Sequence, residues 1–482
     1  MAVVSTTVDS DYLVVGAGAS GMAFTDALVG AANVHVTMID RRHRAGGHWL
    51  DAYPFVRLHL PSELYGVAST LLGGNQVQVD GPEAGLPARA SAAEIDAYYQ
   101  HVMAGLTASG KVSFHPNCEY LGDGRCVSRI SGQQYEVSPN CRVVDARYLS
   151  PDIPACTSPP FRVADGARAI AVNDLVGISQ APSQYVIAGS GKTATDACVW
   201  LLGNGVDPEA ICWIRPRDPW MFNRAVFQPD PAVFFGMSAG MMEAAANAAT
   251  PDQLFLELEA AGIMFRIDPA VTPTMARTAT VSQWELNELR SIKNVIRQGH
   301  IRAVTPGHIQ FAEGDLPIAP DAIVVHCAAS GLKCPPLVPV WGEQAITVQL
   351  VGNALPCFGA ALIGYVEATR GSDDEKNRLC PPLPYPNSPT DWVRTQVLSE
   401  HAFSRFCAEP DIKAWADRTN LHPARVPPGL SNDADVVAAV HRYQQHRTAG
   451  LAQMARFCGL PEGETARPAG LMPLRVGERE RR

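Results

Sequence analysis

Apolar residues along this chain fall into two alternating patterns, and their alternation predicts an α/β fold. Tyr12 to Val15 is a short apolar run ending in two β-branched residues, and it reads as a buried strand. Met22 to Val29 then carries helical spacing, and Val34 to Ile39 is a second strand that stops at Asp40. Ser91 with Glu94 three residues later is a capping box, opening a helix that runs to about Ala108. Between Val112 and Leu149, strand-like runs (VSFHP, RCVSRI, QQYEV, CRVVDARYL) alternate with turns, predicting a small β-meander. Pro151, Pro154, Pro159 and Pro160 mark the next stretch as a stiff crossing. The opening pattern then returns: a strand at Gln184 to Ala188, a helix through Leu202, and a strand at Ile211 to Ile214. Within residues 225–300, MSAGMMEAAANAA, PDQLFLELEAAG and VSQWELNELRSIKNVIRQG have helical spacing and are expected to cover a cleft. Ile301 to Phe311 reads as a hairpin returning to the sheet, while Asp321 to Ser330 and Ile346 to Val351 read as further buried strands. The chain from Thr390 is helical with proline breaks, and Arg475 to Arg482 are charged enough to predict disorder.

The junctions between strand and helix carry the chemistry. Gly16-Ala17-Gly18-Ala19-Ser20-Gly21 is a complete G-x-G-x-x-G between strand and helix. Gly16 permits the tight turn, Gly18 lets a pyrophosphate approach the backbone, and Gly21 lets the helix pack close to the strand. The helix start offers free N–H groups and a positive dipole end, and Asp40 is placed to hold a ribose diol. Gly189-Ser190-Gly191-Lys192-Thr193-Ala194 repeats the motif with alanine as the third small residue. GSGKT also suggests a P-loop, but Walker A requires glycine where this chain has Val186. The second motif's following strand ends in Arg215 and Arg217 instead of an acid, which favours a 2′-phosphate and hence NADP over NAD. Lys192 and Thr193 either add a phosphate contact or face solvent. Arg41, in the basic run after Asp40, either sits at a dinucleotide's rim or lies on a solvated loop. Gly352-Asn353 precedes a run of small residues that would allow a helix close to a ligand.

Composition bounds the rest. With 482 residues, two or more domains are expected. A net charge of −9 argues against nucleic acid as a partner. The 12 cysteines include no C-x-x-C, which fits reduced thiols in a cytoplasm. No signal peptide or membrane span is visible, and His300/His308 and His441/His446 lack metal-ligand spacing, so no metal is assigned.

Two dinucleotide motifs roughly 170 residues apart resemble the two-dinucleotide-binding-domain flavoproteins. Gly46-Gly47-His48-Trp49 followed by YPFVRLHLPSELY is similar to the GG-x-W…YPG-x-R…S-x-x-Y segment of flavin-containing and Baeyer–Villiger monooxygenases. VVDARYLSPDIP and VVHCAASGLKCPP are similar to the A-T-G crossover segments of such enzymes. Phe55 stands where the family motif has glycine, His59 where Baeyer–Villiger enzymes usually carry aspartate, and Phe161 to Asp174 contains no histidine. The resemblance implies residues 1–160 as the first part of an FAD domain, 161–320 as an inserted NADP domain, 321–375 as the return to the FAD domain, and 376–482 as a helical C-terminal region. It implies an FAD- and NADPH-dependent monooxygenase acting on a small-molecule substrate and O₂, the alternative being a flavoprotein reductase or dehydrogenase that inserts no oxygen. Trp49, Tyr53, Arg57, His59, Ser62 and Tyr65 would then face the flavin or, each taken singly, be packed structural residues. Arg57 would be a fixed cation beside the ring and His59 a proton carrier. No membrane partner is expected, and a homodimer is the assembly left open.

Overall fold

The computed structural model describes residues 6–329 and 331–461. The charged tail expected to be disordered lies outside the described residues. The first strand of the main sheets, β1 (Tyr12–Val15), leads through the glycine turn into α1 (Ala19–Ala31) and then β2 (Val36–Ile39). After α2 (Ala92–Ala108), capped by Ser91 and Glu94 as the sequence predicts, come β3 (Val112–His115) and β4 (Arg142–Asp145). Both β3 and β4 pair in parallel within the sheet of β1 and β2. The meander is therefore smaller than its four runs suggested: only residues 118–137 form it, with residues 6–8 added along its edge.

The chain next enters a second sheet at β5 (Ala169–Ala171), followed by β6 (Tyr185–Ala188), α3 (Lys192–Gly203) and β7 (Ile211–Ile214). An insertion holds β8 (Pro219–Asn223), α4 (Pro231–Asn247), α5 (Pro251–Ala260), β9 (Met275–Val281) and α6 (Gln283–Ser291). β10 (Val295–Ile296) and β11 (Ile323–His326) complete the second sheet. The 303–310 hairpin stands in a separate small sheet with residues 162–163 and 315–317, so it does not return to the main one. β11 lies between β5 and β6. The return to the first sheet thus begins not at Asp321 but at β12 (Ile346–Thr347), which pairs with β4.

Each main sheet is five-stranded and all-parallel, with the strand that feeds the glycine turn at its centre (β12-β4-β1-β2-β3 and β5-β11-β6-β7-β10). Apolar strands buried on both faces are what an all-parallel sheet requires. The architecture is α/β, with two Rossmann-type halves. The two crossings between them touch: the Asp152 N–H donates to the Gly331 carbonyl at 3.2 Å, and Lys333 lies 3.6 Å from Asp152.

α7 (Pro356–Thr369) packs on α1, and a β-carbon at Gly364 would stand 2.3 Å from the Phe24 carbonyl oxygen. Only glycine permits that backbone approach. Beyond it lie α8 (Asp373–Leu379), α9 (Pro389–Cys407), α10 (Pro410–Arg418) and α11 (Ala434–Phe457). α4 and α5 do not cover the cleft. They bury Met237, Met241, Leu254 and Phe255 against Trp392, Val397 and Met454 of the C-terminal helices.

Candidate functional site

A cavity of about 1360 Å³ lies between the halves, lined by both glycine turns and by both crossings. A pocket for one small ligand is roughly 300–1,000 Å³, so this cleft has room for more than one. The two turns are near-copies. Gly18 caps α1 with φ −86° and ψ −172°, and Gly191 caps α3 with φ −86° and ψ −175°; neither helix start has a side-chain cap or an acid in its first turn. By contrast α2, α4, α5 and α11 are capped by Ser91, Asp230, Thr250 and Asp433. The N–H groups at the starts of α1 and α3 are left for an anion from the cleft.

In the first turn, Gly16 adopts φ 107°, a conformation that a β-carbon strains, and Gly47 at φ 60° meets Gly18 backbone to backbone. Gly16, Gly18, Ala19, Ser20, Gly47, His48 and Trp49 all line the cleft, whereas Gly21 is buried behind it. Asp40 is 5% exposed; its two oxygens accept the Ala17 and Arg42 N–H groups, both at 2.8 Å. Those bonds orient the carboxylate and leave it further acceptor capacity at the cleft wall. Arg41 is exposed on the rim, and Arg42 lines the cleft while pairing with Asp51 at 2.6 Å.

In the second turn, Gly189, Ser190, Gly191, Lys192 and Thr193 line the cleft, and Ala194 is buried. A β-carbon at Gly191 would meet nothing within 4 Å, so the open space there faces the cleft. Arg215 is not brought to the cleft. It is 2% exposed, lies over the Trp213 indole at 4.6 Å, pairs with Asp218 at 3.3 Å, and does not line the cleft. Arg217 does line it, anchored by donating to the carbonyls of Thr274 (2.6 Å) and Asn387 (2.9 Å). Gly352 and Asn353 also stand away from the cavity, where Ala354, Leu355 and Pro356 take their place; the Asn353 amide oxygen instead accepts the Leu355 N–H at 3.2 Å.

The aromatic segment after Trp49 forms a wall between the halves. The Trp49 indole N–H donates to the Tyr65 hydroxyl at 2.5 Å, and Phe55 stacks on Trp200 of α3 at 4.8 Å. Arg57 is exposed at the cleft edge and donates to the Arg89 carbonyl at 3.0 Å, so it is a rim cation and not a buried one. His59 lines the cavity with its Nδ1 buried and without a partner. Burial, reinforced by Lys192, Arg224 and Arg89, pushes its pKa down to about 3, so the ring is neutral near pH 7. It does not carry a proton as imidazolium there. His48 is likewise held down at about 4, by burial and Arg42.

Four charged residues that sequence reading missed hold His59 from below. The His59 carbonyl accepts from Arg224 Nε at 3.1 Å and from the Thr280 hydroxyl. Arg224 pairs with Glu83 and, at 2.8 Å, with Glu285; Arg89 pairs with Glu83 at 2.8 Å. Burial raises the Glu83 pKa, but Arg224 and Arg89 outweigh it and bring the carboxyl to about 2. Glu83 and Arg89 come from the glycine- and proline-rich stretch 73–90. Asp196 was also missed, although its i,i+4 spacing from Lys192 on a predicted helix was a usable signal. Among the described residues, no three His, Cys, Asp or Glu side chains gather as a metal site, and the cysteines are free thiols. No described helix is long and apolar enough to cross a membrane.

Residues 14–57 match the model of the NAD(P)-binding Rossmann-like domain. The chain is 42% identical over 428 residues to the uncharacterized protein Rv2000 of Mycobacterium tuberculosis (strain ATCC 25618 / H37Rv), covering 88% of this chain and 79% of that one. The uncharacterized protein Mb2023 of Mycobacterium bovis matches to the same extent. Among solved structures, an oxidized steroid monooxygenase bound to NADP is 14% identical, covering 81% of this chain and 90% of that one with a TM-score of 0.48. With its paired glycine turns and shared cleft, the chain belongs to the same family as the mycobacterial proteins Rv2000 and Mb2023.

Proposed function

We propose that the protein is an FAD- and NADPH-dependent monooxygenase that inserts one atom of O₂ into a small organic substrate. The observation that carries this reading is the pair of uncapped helix starts, each behind a glycine turn, opening into one cleft. Asp40 behind the first turn suits the ribose of FAD, and Arg217 near the second suits the 2′-phosphate of NADPH. When bound, the flavin would take a hydride from the nicotinamide and activate O₂, one oxygen entering the substrate and the other leaving as water. The chain's own residues bind, orient and shield. The Gly18 and Gly191 cradles hold the pyrophosphates, Trp49 and Tyr65 form an interlocked wall that excludes water, and His59 keeps a neutral ring at the cleft wall.

The test begins with the purified protein, which is expected to carry oxidised-flavin absorbance that Asp40→Ala or Gly18→Val removes. Stopped-flow reduction should favour NADPH over NADH. Arg217→Ala should cut that preference by roughly ten- to a hundredfold, the scale of one hydrogen bond to a charged group. Oxygen uptake should match substrate consumed. Wild-type protein that takes no flavin even on reconstitution overturns the reading, and NADPH oxidation without oxygenated product replaces it with a reductase.

A further inference from the structure

The second cradle contains a carboxylate that nucleotide binding does not require. Lys192 is the first residue of α3, beside the N–H groups that would take a pyrophosphate, and its side chain is 18% exposed. Its ammonium is paired with Asp196, one turn along the same helix face and 14% exposed. The other Asp196 oxygen accepts the Tyr53 hydroxyl at 2.7 Å, reaching across from the first half. Phe55 stacks on Trp200 at 4.8 Å and 19°, one turn further along α3. Asp196 is therefore engaged on both oxygens and fastened to the opposite wall, which fixes the partner of Lys192.

We propose that Asp196 sets the affinity of the second cradle by holding Lys192 back from the incoming phosphates; this rests on reading that cradle as the NADPH site. A phosphate and the Asp196 carboxylate are alternative partners for one ammonium. With the pair closed, the cradle presents its N–H groups and a neutral ion pair. When the pair opens, a full positive charge moves to the phosphates and Asp196 keeps only its bond to Tyr53. Arrival of the dinucleotide thereby changes the partners of a residue that spans the two halves.

The test is calorimetric titration of NADP⁺ into the protein as purified, with its flavin, at low and high salt. Wild type is compared with Asp196→Asn, Lys192→Met and the double variant, with Asp196→Ala as a second probe of the same carboxylate. Both single Asp196 variants are expected to bind about tenfold tighter at low salt, with a steeper salt dependence, because a competing charge-assisted bond is gone. Lys192→Met should weaken binding and abolish the gain from Asp196→Asn. Unchanged or weaker binding by the Asp196 variants overturns the proposal. So does an equal gain in the Lys192→Met background, since the carboxylate would then act by repulsion alone. If the flavin-loaded wild type binds no NADP⁺, the reading of the cradle itself fails, an outcome distinct from either of these.

Discussion

A β-carbon at Gly21 would lie 1.9 Å from the Gly16 carbonyl oxygen, whereas one at Gly191 would meet nothing within 4 Å. Two glycines of equivalent motifs thus have opposite reasons to be glycine. Gly21→Ala should cost at least the roughly 1–3 kcal/mol of an overpacked site, because backbone cannot yield as a side chain does; the urea midpoint measures it. Gly191→Ala should leave that midpoint in place and weaken NADP⁺ binding. His422 provides a second contrast. It is 2% exposed among Phe358, Phe403 and Phe406, and neither ring nitrogen has a partner. Burial, then Lys413 and Arg425, pushes its pKa down to about 3. The unfolded chain binds a proton here first, so this stability is present above the ordinary histidine value near 6.5 and is lost as pH falls toward 3. His422→Phe should flatten thermal stability across that window and gain about 1–3 kcal/mol at neutral pH by removing an unsatisfied donor. At this scale the sequence revealed what local backbone geometry demands, such as Gly16, Gly18 and Asp40. It did not reveal the direction of the Arg215 side chain, which is drawn inward by Trp213 and Asp218.

Elements were legible where one period dominated. β1, β6, α1 and α3 fall where the apolar pattern places them. Segments lacking a period hid their partners: Glu83 meets Arg224 from 141 positions away, and no local spacing encodes that. The resulting cluster joins the 73–90 stretch, the end of β8 and α6 beneath the backbone of Leu58 and His59. Arg224→Met leaves Glu83 and Glu285 each short of a cation at a buried site. It should cost about 3–5 kcal/mol, the usual penalty for breaking one side of a buried ion pair. Denaturant melts should show this, together with His59 titrating at higher pH once a neighbouring cation is gone. The placement of α4 and α5 on the C-terminal helices was likewise beyond local pattern, since their apolar faces state that they are covered but not by what.

At the scale of the whole molecule, four strands of each sheet follow the same order around the central glycine turn, while the outermost strand comes from later in the chain in one sheet (β12) and from earlier in the other (β5); parallel strand order is not readable from composition. The sequence therefore predicted two halves but misplaced the return, assigning β11 to the wrong sheet. That late return has a mechanical consequence. The chain passes between the halves twice, and the two passages are cross-tied where Asp152 meets Gly331 and Lys333. Two adjacent tethers resist torsion of one half against the other in a way that one does not. The Tyr53–Asp196 bond also ties the halves, across the cleft itself, so any opening of the cleft stretches this bond while each glycine turn stays internally unchanged.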